Sequence, residues 1–241
     1  MQRLMIDAET LNEFLGKAEP LLSEEQIMRI VFRLEQRSKL APDLLGRALS
    51  EGDVADAAIW NWVPATRRLS QDERARFTEF ARTFLAKARN HSTEEALELL
   101  DHWDERPKWG LEWATFWLHL SDPSRFPWWT RWMYTPETHT GAVLLVLDDP
   151  DVIQPGQPPS FLFSQIQLTQ QVLSAVLEAT HRMDRVPDIY RPILCLSWVY
   201  AVYMFTMASW RMTSEFTQVL PPFPKVVEGL LGIKHMGGSF T

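Results

Sequence analysis

Residues Ser70 to Asn90, "SQDERARFTEFARTFLAKARN", decide the fold class. Phe77, Phe80, Phe84 and Leu85 share one face if the segment is helical and scatter over both faces if it is a strand. Ser70 stands where an N-cap belongs, Asp72 and Glu73 fill the first turn, and basic residues follow. That order satisfies the free amides of a helix start and complements its dipole. The segment reads as a long amphipathic helix with a defined beginning.

The same pattern recurs on both sides. "SEEQIMRIVFRLEQRSKL" opens on Ser23 with acids in its first turn, and "STEEALELLDHW" places Glu95 three residues after Ser92, a capping-box spacing. Further on, "FLFSQIQLTQQVLSAVLEATHRM" and "PILCLSWVYAVYMF" read as two more helices, and "VVEGLLGIKHMGGSFT" as a short one before a glycine-rich end. Pro20, Pro42, Pro64, Pro107, Pro123, Pro127 and Pro136 are expected to mark boundaries. Leu147 to Ser160, rich in proline, suits a surface loop. "GAVLLVL", residues 141–147, fits a short strand or a buried helical turn equally well. The expected fold is all-α: a compact multi-helix domain with a Trp-rich core, its central helices around Trp113 and Trp198. An N-terminal helical segment is expected over residues 1–70 and the main helical domain over residues 71–241.

With 241 residues the chain can bury a substantial core, and 46% hydrophobic against 23% charged residues exclude wholesale disorder. A net charge of -7 gives no general basic field for a phosphate backbone, so any nucleic-acid contact must be local. The single cysteine, Cys195, precludes an intramolecular disulfide framework and fits a reducing cytoplasm. It lies in an apolar run without a neighbouring base and reads as a small hydrophobe. The first twenty residues mix acids with apolar side chains, unlike a signal peptide, so a cytoplasmic location is expected. Ile193 to Trp210 approaches the length of a bilayer span. It also suits the centre of a larger helical protein, which is the expected reading, with no membrane association.

Motifs of common catalytic scaffolds are missing. There is no G-x-S-x-G elbow, Walker loop or dinucleotide fingerprint, and no two histidines stand at the spacing of a helical zinc site. Asp148, Asp149 and Asp151 form the densest acidic cluster, which reads as a solvated turn or, alternatively, as oxygen ligands for a hard cation. His119, shortly before Asp122, reads as a helix-end hydrogen bonder, with a catalytic base as the alternative. No cofactor is expected.

Phe116 to Tyr134, "FWLHLSDPSRFPWWTRWMY", concentrates four tryptophans beside two prolines. Trp128, Trp129 and Trp132 with Arg125 and Arg131 would make a stacking platform for bases, or would fill a gap between helices. Most of these rings are expected in the core. At least one of the adjacent pair Trp128 and Trp129 is expected to point outward.

"ALELLDHWDERPKWGLEWATFWLHLSDPSRFPWWTRW", Ala96 to Trp132, resembles a helical module associated with AAA ATPases of prokaryotic modification-dependent restriction and related defence systems. The residues that carry the resemblance are Leu118, His119 and Leu120, then Asp122, Pro123, Arg125, Phe126 and Pro127. Within it, "RPKWGLEWA" resembles a degenerate helix-hairpin-helix, with Gly110 and Ala114 at small-residue positions and Lys108 beside a potential phosphate. Related glycosylases carry an essential aspartate near the "FP" element, where this chain has Trp128, Trp129 and Thr130. Threonine cannot stabilise a developing sugar cation, so base excision is not expected. The resemblance implies a non-enzymatic adaptor or recognition subunit of a defence or DNA-transaction system, with nucleic acid or an AAA ATPase as partner. The candidate surface is Lys108, Arg125, Trp128, Trp129 and Arg131. The alternatives are a scaffold that binds only protein and a metal-dependent enzyme using His119, Asp122 and the Asp148 cluster.

Overall fold

Side-chain caps set the starts of the first helices. The computed structural model describes residues 4–50, 69–90, 93–103, 110–211 and 220–233. Helix α1, Ala8–Ala18, begins at Asp7, whose carboxylate accepts from the amides of Glu9 and Thr10 at 3.0 and 3.1 Å. The Thr10 hydroxyl and amide hold that carboxyl below the usual range. Helix α2, Glu24–Ser50, opens with a reciprocal box: Gln26 N–H donates to Ser23 Oγ at 3.2 Å, and Ser23 N–H donates to Gln26 Oε1 at 2.8 Å. Helix α3, Gln71–Asn90, uses the same device through Ser70 and Glu73, at 3.3 and 2.8 Å. Each box satisfies two donors that a helix start leaves open.

The other helices are α4, Thr93–Asp101; α5, Gly110–Ser121; α6, Pro159–Ala179; α7, Arg191–Arg211; and α8, Phe223–Leu230. Among the described residues only isolated β-bridges interrupt the helical and turn structure, so the fold is all-α. The boundary expected at residue 70 adjoins residues 51–68, which lie outside the described set together with Pro64, Ser92, Pro107 and the glycine-rich end.

The chain forms two compact units. One comprises Glu35–Thr130 and Gln157–Gln167; the other comprises Met1–Leu34, Arg131–Gly156 and Leu168–Thr241. In the first, aromatic rings knit α3 to the chain that follows it. Phe77 meets Trp103 and Trp113 edge-on at 5.8 and 5.5 Å, and Phe80 stacks on Trp103 at 4.0 Å. Trp113 and Trp117 lie 4.6 Å apart on α5, which is buried from Gly110 to Leu120. A helix apolar nearly all round must be covered on every side, as its sequence requires. Asp101 at the end of α4 accepts from the Ser160 amide at 2.9 Å and from its hydroxyl, anchoring the start of α6.

In the second unit α1 packs on α7, and α7 packs on α8. Residues Arg191 to Val199 of α7 are buried, and the helix becomes half-exposed beyond Val202. By length and composition it is the one described helix able to cross a membrane, and 56% of its apolar window is buried in the protein. Residues 141–147 form successive turns rather than a strand. Ala142 and Val143 donate to the carbonyls of Trp132 and Met133, each at 3.0 Å, and Leu147 bridges to Ile6. Gly141 permits the fold-back: its φ is +144°, and a Cβ there would lie 2.3 Å from the Met133 carbonyl oxygen.

Pro42 corrects one expectation. It lies inside α2 instead of at its end. An interior proline costs about 3 kcal/mol, and the burial of Ala41 and Leu45 beside it offsets part of that cost.

Candidate functional site

The segment that follows α5 is shaped by short side-chain bonds. Asp122 Oδ1 accepts from the Ser124 amide at 3.1 Å, the Ser124 hydroxyl at 2.6 Å and the Arg125 amide at 3.2 Å, closing a turn around Pro123. The returning chain places the Phe126 carbonyl 2.8 Å from His119 Nδ1. Nδ1 must therefore carry the proton and donate it. Burial above all, then the positive charge of Arg37, lowers the His119 pKa to about 3, so the ring is neutral at physiological pH. His119 thus secures the end of α5 to the proline turn, as the hydrogen-bonding reading of the sequence anticipates.

Trp128 lies beside this histidine, with ring centroids 6.4 Å apart. The Arg37 guanidinium stands 4.8 Å from the centre of the Trp128 ring and 5.8 Å from that of Phe116. Arg37 is 1% exposed. Its presence was legible as a position, because Ile30, Leu34, Arg37, Ala41 and Leu45 form the buried stripe of α2 at helical spacing. The sequence does not single out this arginine, since a charge on such a stripe is ordinarily assigned to the surface. Glu112, which the sequence does not single out either, is buried on α5 and accepts a hydrogen bond from the Thr130 hydroxyl.

Of the five residues proposed from sequence, the two tryptophans are covered and the two arginines lie in different units. Lys108 lies outside the described residues, with the rest of 104–109. Gly110 and Ala114, the small positions of the resemblance, are buried in α5. Trp128 and Trp129 are 4% and 3% exposed, so the expectation that one of them points outward is overturned. Alternation between opposite faces is a rule for strands exposed on one side; in this irregular segment, different directions both lead into packed protein. Neither ring is offered to a base. Arg125 is exposed, with its guanidinium 4.9 Å from the centre of the Phe126 ring. Arg131 belongs to the other unit, where it forms a two-pronged ion pair with Glu137 at 3.2 Å on each side.

His119 and Asp122 belong to one unit and the Asp148 cluster to the other. Asp149 Oδ1 accepts from the Asp151 amide at 3.0 Å and caps the 3-10 turn Pro150–Val152. Asp151 faces outward with a long 3.9 Å approach to His139. Among the described residues no group of three histidine, cysteine or carboxylate side chains is arranged to hold a metal ion. Burial pushes the Cys195 thiol far above its usual range, which removes it as a nucleophile at neutral pH.

The second unit buries a charge of its own. Glu228 on α8 is fully covered and meets Arg29 at 3.5 Å, Arg33 at 3.4 Å and Lys225 at 2.8 Å. The first two come from α2, nearly two hundred residues away in sequence, and no local pattern announces them.

In comparison with known proteins, no family model, no curated protein and no solved structure matches the chain.

Proposed function

We propose that this chain is a non-enzymatic adaptor or recognition subunit that binds a partner protein. The observation that carries the reading is on α2, where Met28 and Phe32 stand one helical turn apart and are 44% and 57% exposed. A large aromatic side chain left in water beside a second apolar residue is the type of anchor that protein interfaces bury at their centres. A net charge of -7 and the burial of both Trp128 and Trp129 support a protein over a nucleic acid as the primary partner. The sequence resemblance suggests an AAA ATPase of a prokaryotic defence or DNA-transaction system as the partner to try first.

The test is co-purification of the tagged chain with that ATPase after nuclease treatment, alongside anisotropy titrations with labelled DNA and RNA. The expected result is a nuclease-resistant complex weakened about tenfold or more by Phe32→Ser, and no saturable nucleic-acid binding at low salt. A complex indifferent to Phe32→Ser would move the interface off α2. Saturable binding of DNA or RNA without a protein partner would overturn the reading.

A further inference from the structure

The exposed pair Met28 and Phe32 stands on α2 beside a cluster of uneven charge. Arg29 lies one turn before Phe32 and Arg33 one turn after Arg29, so the two guanidinium groups form a row alongside the apolar pair. Both reach α8, where they meet Glu228 at 3.5 and 3.4 Å, and Lys225 approaches the same carboxylate at 2.8 Å. All six residues belong to one compact unit.

Three cations thus share one carboxylate, a local excess of two positive charges. Glu228 is fully covered, while the side chains of Arg29, Arg33 and Lys225 remain 43%, 29% and 49% exposed, so the surface presents the cations and hides the anion. A guanidinium carries five donors, and the contacts to Glu228 occupy few of them. Among the described residues neither arginine has a second ion-pair partner. Glu25, the preceding carboxylate on the exposed face of α2, stands two turns before Phe32, which leaves the ground between Phe32 and α8 cationic. The first turn of α8 adds the same sign, because it holds Lys225 and no acid to offset the positive end of the helix.

This patch inverts the sign of the chain, whose net charge is -7. A positive surface beside an apolar anchor selects a partner with the complementary arrangement, acids beside an apolar side chain. A nucleic acid is the weaker match: the rest of the chain repels a long polyanion, and a phosphate backbone has nothing apolar to cover Met28 and Phe32. Resting on the reading of Phe32 as a protein anchor, we propose that the partner docks through an acidic segment. An apolar side chain of that segment covers Phe32 and Met28, and its flanking aspartates or glutamates meet Arg29, Arg33 and Lys225.

The test selects random displayed peptides on the full chain, with counter-selection on Phe32→Ser, and measures the recovered sequences as labelled synthetic peptides by fluorescence anisotropy. Peptides that need Phe32 are expected to combine an aromatic or aliphatic residue with aspartate or glutamate. Replacing those acids by amides should weaken binding about tenfold, and added salt should weaken it too. Arg29→Gln should cost about threefold. Glu228→Gln releases the cations from their own carboxylate and should tighten binding about threefold, where a purely structural role for Glu228 predicts weakening. Phe32-dependent peptides without acids, or an affinity indifferent to the amide replacements on the wild-type chain, would overturn the acidic partner and leave the anchor standing. Recovery of no Phe32-dependent peptide would remove both. Displacement of the bound peptide by a single-stranded oligonucleotide would overturn the assignment in favour of a phosphate backbone.

Discussion

The two units each bury a charged side chain, and they hold it in opposite ways. In one, the Arg37 guanidinium lies over the faces of Trp128 and Phe116 beside a neutral histidine. In the other, the Glu228 carboxylate sits among three cations whose own side chains remain 29% to 49% exposed. The difference follows from the charges themselves. A planar, weakly hydrated guanidinium is attracted to the electron-rich faces of aromatic rings, whereas a carboxylate is repelled by those faces and needs donors. The aromatic core of one unit thus accommodates an arginine, while in the other the buried Glu228 draws basic side chains in from the surface.

The sharpest way to break this comparison is to strip the anion of its partners. Replacing Arg29, Arg33 and Lys225 together by methionine leaves Glu228 buried without compensation and should cost about 3 to 5 kcal/mol in urea unfolding. A loss under about 1 kcal/mol would mean that the cations are ornamental. The counterpart experiment concerns the aromatic side. The unfolded chain binds a proton on His119 near pH 6.5, and the folded chain refuses it until about pH 3. Stability contributed by the neutral ring is thus present above pH 6.5 and is lost as the pH falls toward 3. Between pH 8 and pH 5 the loss should be about 2 kcal/mol, and it should disappear from the pH profile of His119→Gln. An identical profile in that variant would show that other groups set the acid limb.

A smaller effect is expected when the anion is removed instead of its partners. Glu228→Gln frees three cations that already reach water, so its cost should be about 1 to 1.5 kcal/mol, well below that of the triple variant. The reverse ranking would contradict the account of Glu228. At the bottom of the scale stands Arg131→Ala, which breaks an ion pair exposed on both sides. It should shift stability by less than about 1 kcal/mol and fade further in high salt.

The local parts of this architecture were legible. Ser23 and Ser70 close the capping boxes that their neighbours advertise, and α5 and α7 are the buried helices that their continuous apolar character requires. Both signals act within a few residues, which is the range that periodicity and capping can report. The expectation that one of Trp128 and Trp129 points outward fails because it depends on direction. Trp128 and Trp129 carry no helical or strand register, so nothing in their spacing says which side is covered. Pro42 misled for a related reason: the penalty of an interior proline is local, and the packing that offsets it is not.

By itself the sequence determined an all-α chain with capped, amphipathic helices and an interior dominated by aromatic side chains, because helix starts and apolar stripes are written in short-range order. Only the tertiary structure decided which rings face water, that Arg37 lies among them, and that Glu228 meets Arg29 and Arg33. Those outcomes are set by what the rest of the chain brings alongside each residue, and contacts between distant segments leave no period or spacing to read.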